Sequence, residues 1–471
     1  MRLSHSHPVA SAVFDEPNLV SAAGLVPVMG LAQRAGLREL ADQWLSVPTD
    51  KGANAGLKVS SLVAGMVAGA DSIDDMALLR HGGMGKVLPA AYAPSTLGSF
   101  LRAFTFGHVR QADAVASRFV IKLAEHTALL GRPGGHDATQ AVMVDIDDTI
   151  VQVHGYHKQG AGFGYTGVRG LNALLATVST QTIAPVILAQ RLRKGSVGSP
   201  RGASRLITDA LAPVARTHLA GRAVLVRADS AFCSHALVAA ARKTGADVSI
   251  TVRMDPAVKR AIASIDQDAW ATIKYTDAIL DQTTGTWVSK AQVAEVPFTA
   301  FTSKKKADQV PGRLVVRRIP DLAPKADHGQ GTLFETWRFQ AFFTTTTTTA
   351  SAGVDTVTAD QTHRRHAIIE NAHADLKASA LAHLPSGVFN ANAAWLVCAV
   401  MAFKPHPRCR HPDRGQRAGQ GSHRHDPPKT HHRPRPDRHL RPAPPPSPTP
   451  GLAMGNRLVS DAVFTPPAAV T

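Results

Sequence analysis

The chain reads as an α/β protein. A mixed sheet carries a β-rich insertion, a helical N-terminal region precedes it, and a basic tail that does not fold follows it. Three observations predict this. Apolar residues recur at helical spacing between residues 25 and 130. From residue 141 the order becomes β, β, β, α, β, α, β, ending near residue 252. Four more strand-like runs then fill 255 to about 343 before helical spacing returns.

The N-terminal region, residues 1–138, shows the helical pattern in Leu25–Leu45, Ser60–Ala68, Ser95–Phe104 and Ala112–Leu130. It is read as a DNA-binding or assembly domain. The first strand runs from Val142 into Asp145-Ile146-Asp147-Asp148-Thr149, so it ends in acids. Leu171–Thr180 and Pro185–Leu192 are the second and third strands, and Arg201–Arg216 is a helix with one apolar face. Ala223–Val226 is the fourth strand and stops at Arg227-Ala228-Asp229-Ser230; Ser234–Lys243 is a helix and Asp247–Val252 the fifth strand. Residues 139–254 form the first part of the core. The insertion, 255–345, holds strands at Trp270–Tyr275, Trp287–Phe298, Arg313–Ile319 and Trp337–Phe343, and the Thr344–Thr349 run is a loop. Residues 346–403 return to helix, with Asp360 as the N-cap of a helix over Thr362–Ala382.

Composition narrows the partners. The 471 residues carry 52 Lys and Arg against 35 Asp and Glu, a formal charge of +17, which points to a polyanion. The charge is uneven: residues 404–450 hold nine Arg, two Lys and three Asp, a net of +8. That segment has only four apolar residues and cannot offset its own ordering entropy. A DNA-binding arm and a plain disordered tail are alternatives there. A third reading is a shifted frame, because the apolar pattern through Ala393–Phe403 stops abruptly at Lys404. Three scattered cysteines support neither a disulfide framework nor a zinc ribbon. Met1–Pro17 has no apolar signal core, and the longest apolar run, Phe389–Phe403, is shorter than the roughly 20 residues a span needs. A cytoplasmic protein without a membrane partner is expected.

The acids suggest the chemistry. Strand alternation puts Asp145 and Asp147 on one face near the end of the first strand. Asp229 ends the fourth strand, and in this element order the first and fourth strands can be neighbours. Two carboxylates from adjacent strand ends make a hard-oxygen site for Mg²⁺ or Mn²⁺. Glu370 supplies a third acid from a helix on which His363, His366, His373 and Lys377 share its face. Ordinary alternatives stand beside each: a cap for Asp229, a solvated turn for Asp145–Asp148, a surface ion pair for Glu370 with Lys377.

The passages VMVDIDDTIVQVHG, GFGYTGVRGLNALLATVST, VLVRADSAF and HAIIENAHADLK resemble the DDE transposases of bacterial insertion sequences, in particular insertion-sequence family thirteen-eighty. The resemblance covers roughly residues 20 to 403. It implies an RNase H-like core with an inserted β domain and cut-and-paste DNA transposition by phosphoryl transfer with two metal ions, Mg²⁺ or Mn²⁺. Asp147 matches the first acid, with Asp145 as the competing candidate; Asp229 matches the second and Glu370 the third, with Lys377 seven residues on. His363 and His366 stand where the wider group carries Tyr and Arg. Implied partners are the element's terminal inverted repeats, target DNA and a second copy of the chain in a synaptic homodimer. The break after Phe403 then implies a damaged C-terminus and a copy that can be inactive. Candidate phosphate contacts are Arg191, Arg193, Lys194, Lys304, Lys305 and Lys306, with His363 and His366 on the helix. Trp287 or Trp337 either stacks an unpaired base or packs the inserted sheet.

Two rivals remain. Asp145-x-Asp147-x-Thr149 also satisfies the nucleophile motif of haloacid dehalogenase-like phosphatases, with Asp145 as nucleophile and Asp147 as acid/base. The other is a non-catalytic DNA-binding remnant of a transposase.

Overall fold

A computed structural model describes residues 17–131, 140–155, 157–280, 287–320, 337–347 and 353–403. The tail expectation at 404–471 lies outside the described residues. The N-terminal region forms α1 (Leu25–Arg34), α2 (Leu37–Trp44), α3 (Ala55–Val67), α4 (Met84–Val87), α5 (Pro94–Arg102) and α6 (Phe106–His126). The core follows as β1 (Val142–Gln152), β2 (Gly162–Phe163), β3 (Arg169–Ser179), β4 (Val186–Lys194), α7 (Ala203–Val214), β5 (Val224–Ala228), α8 (His235–Lys243) and β6 (Asp247–Thr251). Then come α9 (Pro256–Ala263), β7 (Ala271–Leu280), β8 (Trp287–Ala300), β9 (Val310–Pro320) and β10 (Trp337–Thr344), followed by α10 (Thr356–Arg364), α11 (Ile368–Lys377) and α12 (Phe389–Phe403).

All ten strands form one sheet in the order β2-β3-β1-β5-β6-β10-β9-β8-β7, with β4 on β3. β1 is antiparallel to β3 and parallel to β5, so the first and fourth expected strands are neighbours. β10 pairs antiparallel with β6, Phe342 opposite Thr251 and Phe343 opposite Ile250, and the inserted strands thereby continue the core sheet. The central strands are buried on both faces. Leu171, Ala173 and Leu175 of β3 pack with α6 and α12, whereas Leu174, Ala176 and Val178 face α7 and α8. Residues two apart on a strand share a face, so one strand serves both cores. α12 is apolar all round because it is enclosed, against α3, α6 and β4. Among the described residues no helix is long and apolar enough to cross a membrane.

Three expectations need correction. The helix over Thr362–Ala382 is two helices, α10 and α11, joined by a single 3₁₀ turn at Arg365–Ala367. Its N-cap is Asp355, whose side chain accepts from the Thr358 N–H; Asp360 lies inside α10, buried against Arg317. The insertion also opens with a helix, α9, which Asp255 caps before Pro256.

The hairpin of β2 and β3 is seated by close backbone contact. Gly195 after β4 donates to the Gly160 carbonyl at 3.0 Å, and a Cβ there would overlap the Gly170 carbonyl oxygen. A Cβ on Gly164 would press on the Gly195 oxygen and the Ile150 side chain. Gly195→Ala is therefore expected to lower stability by about 1–3 kcal/mol in urea unfolding, because backbone atoms must shift to admit the methyl.

Candidate functional site

β1 and β5 pair in register with Asp145 opposite Arg227 and Ile146 opposite Ala228. The next residue on each strand is Asp147 and Asp229. The two carboxylates therefore leave adjacent parallel strands at their carboxyl ends, where open α/β sheets place their ligands. β5 stops here because Asp229 turns the chain: its side chain accepts from the Ala231 N–H at 2.9 Å and caps a short 3₁₀ turn.

α11 lies across β1. His366, in the turn before it, brings Nδ1 to 3.1 Å from Asp145 Oδ1. His373 brings Nε2 to 3.6 Å from Asp147 Oδ2, and Lys377 donates to Thr149 Oγ1 at 3.2 Å. Residues 366, 370, 373 and 377 share a helical face, so Glu370 belongs to the stripe that meets β1. Its own carboxylate is exposed and makes no hydrogen bond or ion pair among the described residues. No three His, Cys, Asp or Glu side chains among the described residues stand close enough together to hold a metal ion. Glu370 is thus on the right face without closing a three-acid cluster.

The electrostatics single out Asp147. Burial pushes its carboxyl up to about 7; the Asp148 N–H and His366 oppose the rise, and the charges of Asp229 and Asp148 add to it. Burial, first, then Lys377 and His366, push His373 down to about 4, so this imidazole is neutral. Neither of its nitrogens makes a hydrogen bond of ordinary length. The Asp147 and Asp229 carboxylates offer hard oxygen donors of the kind a divalent cation takes, and a bound cation would favour the ionised form of Asp147.

A pH dependence follows. The raised pKa means that the folded state keeps a proton that the unfolded state releases near pH 4. Stability from Asp147 is therefore greatest at low pH and declines as pH rises to about 7. Asp147→Asn removes this titration. Relative to wild type, the variant should gain on the order of 1–4 kcal/mol between pH 4 and pH 8 in metal-free urea unfolding.

Several sequence assignments change. Asp145 is fully buried and held bidentately by Arg227, Nε to Oδ1 at 2.7 Å and Nη2 to Oδ2 at 2.8 Å. It is free neither to ligate a metal nor to attack, which removes it as the alternative first acid and as a phosphatase nucleophile. Arg193 is buried with Asp148, Asn172 and two backbone carbonyls, so it is a structural cation and not a phosphate contact. Arg191 is partly buried and paired with Asp209 at 3.1 Å. His363 stacks on Phe342 at 4.1 Å with its nitrogens against Ser249 and Thr251, and burial pushes it down to about 3. It carries no charge to offer DNA. Trp337 packs under the Arg318 guanidinium at 4.6 Å, which also covers Trp270; the Trp287 side chain lies outside the described residues. Lys194 and Lys304–Lys306 are exposed.

Sequence reasoning gave no role to Arg227 or Tyr165, and placed His373 only on the polar face it shares with Glu370. The first sits two residues before Asp229 and so on the same strand face, which is the signal that could have found it.

The family description "Transposase DDE domain group 1" matches residues 4–411. No curated protein matches the chain. Among solved structures, a piggyBac transposase in a synaptic complex with hairpin DNA is 11% identical with a TM-score of 0.35, over 86% of this chain and 77% of that one.

Proposed function

The chain belongs to the DDE transposases, domain group 1, and from that premise we propose that it cuts and rejoins DNA by phosphoryl transfer, with Asp147, Asp229 and Glu370 as its acids. The observation that carries this reading is the register of β1 and β5, which sets Asp147 beside Asp229 at the carboxyl ends of parallel strands. The finer reading, an insertion-sequence transposase of family thirteen-eighty acting in a bacterial cytoplasm as a homodimer on terminal inverted repeats, belongs to the proposal too.

Divalent cations, Mg²⁺ or Mn²⁺, would neutralise phosphate charge and activate the attacking oxygen. Asp147 and Asp229 would hold them, and Glu370 would reach them from α11. Lys377, which donates to Thr149, would meet a phosphate beside the acids. Lys194 and Lys304–Lys306 would meet the DNA backbone further out and make binding steeply salt-dependent. His366 serves by holding Asp145, and Arg191, Arg193 and His363 serve the fold.

The test uses DNA that flanks the gene, searched for inverted repeats, as a cleavage substrate. Cleavage should vanish with a chelator and return with Mg²⁺ or Mn²⁺. Glu370→Gln should lower it by roughly 10³-fold while a gel-shift of the same DNA persists. Undiminished cleavage by Glu370→Gln removes the third acid from the assignment. Binding without cleavage by the unaltered chain favours the DNA-binding remnant.

A further inference from the structure

The hairpin that carries Gly162–Arg169 holds two large exposed aromatic side chains. Phe163 is 66% exposed and Tyr165 71%. The two rings offer exposed π-surface to a ligand. Tyr165 is placed with some care. Its hydroxyl reaches to 3.4 Å of the Asp148 carbonyl oxygen. That carbonyl follows Asp147 directly, so the contact sets the ring edge beside the end of β1 that carries the acid.

The support beneath it is rigid. Gly167 donates to the Gly164 carbonyl at 3.1 Å and closes the turn around Tyr165. Phe163 pairs with Arg169 and Gly162 with Gly170. Gly164 and Gly195 are packed so closely that neither tolerates a Cβ without displacing backbone or Ile150. Two lysines stand on neighbouring elements: Lys194, exposed one residue before Gly195, and Lys377, which donates to Thr149 two residues beyond Asp147. An exposed π-face on a close-packed turn, anchored one residue from Asp147, is complementary to a nucleobase whose phosphate lies at the acids.

We propose that Tyr165 is a stacking platform for an unpaired nucleotide next to the scissile phosphate, with Phe163 extending the surface. This rests on the reading of Asp147 and Asp229 as the phosphoryl-transfer acids. It would hold the strand end in line with those acids through the base, without reading its sequence, since every base offers a π-face.

The probe is a pair of labelled duplexes from one sequence, one blunt and one with a three-nucleotide single-stranded overhang, measured by anisotropy with the full chain in metal-free buffer. The unaltered protein should prefer the overhang. Tyr165→Ala should erase the preference, a loss of roughly 5- to 100-fold in affinity for the overhang, and leave blunt-duplex binding unchanged. Tyr165→Phe keeps the ring and should keep the preference. A preference that survives in Tyr165→Ala overturns the proposal, as does equal binding of the two duplexes by the unaltered protein. The two readings fail separately. If cleavage requires Asp229 but the overhang preference ignores Tyr165, only the platform falls. If the preference depends on Tyr165 and no cleavage occurs under any metal, base stacking by Tyr165 stands, and its place beside a scissile phosphate falls with the catalytic reading.

Discussion

Asp229→Ala and Asp147→Asn are each expected to reduce metal-dependent strand cleavage by at least about 10³-fold, the factor that about 4 kcal/mol of lost transition-state stabilisation produces. The two should differ in stability. Asp229 is exposed and caps a single 3₁₀ turn through one hydrogen bond, so Asp229→Ala should cost no more than about 1 kcal/mol in unfolding. Asp147 is only 24% exposed and is pushed up to about 7 chiefly by burial, so Asp147→Asn removes an ionisation that the fold resists and should leave the protein as stable or more so at pH 8. A variant that is inactive and at least as stable as wild type is hard to explain by misfolding. Cleavage and urea unfolding on the same preparations test both halves. Cleavage by Asp147→Asn within tenfold of wild type would remove Asp147 from the chemistry. Gel-shift affinity should change little in either variant, because the proposed phosphate contacts belong to Lys194 and Lys304–Lys306.

What could be read beforehand was local and periodic. Alternation along β1 set Asp145 and Asp147 on one face, and the strand order put β1 beside β5, so the Asp147–Asp229 pair was within reach of pattern alone. The partners of buried charges were not. Arg191 and Arg193 look like a basic run on paper, yet β4 carries them to Asp209 and Asp148, at sequence separations of 18 and 45. Burial selects such pairs because an arginine in a strand interior needs an acid, and nothing local names which. Asp360 looked like a helix cap for the same reason: its partner Arg317 arrives from β9. The break between α10 and α11 falls at Arg365-His366-Ala367, without Gly or Pro to mark it. There His366 meets Asp145, and a tertiary contact accompanies the local departure from α-helix.

That contact belongs to a network whose loss carries the second large effect. Arg227→Ala is expected to destabilise the protein by about 3–5 kcal/mol, since it leaves the fully buried Asp145 carboxylate without its cation. Arg227 ties three elements. Nε and Nη2 hold Asp145 of β1, its own backbone lies in β5, and Nη1 donates to the Thr362 carbonyl of α10. His366 then binds the same carboxylate from the turn into α11. The pair therefore holds the helix that carries Glu370 against the strands that carry Asp147 and Asp229, although neither partner touches the reacting phosphate in the proposed mechanism. Asp145→Leu alone should be similarly harmful, because it strands Arg227. The double variant Asp145→Leu with Arg227→Met should recover part of the lost stability, as an apolar pair of similar volume does for a buried ion pair. It should not recover cleavage, because Leu at 145 gives His366 nothing to hold and the Thr362 tie is gone. Denaturant midpoints and cleavage rates on the two single variants and the double complete the cycle. Stability regained together with full activity would show that the network serves the fold alone; stability regained without activity shows that it positions α11.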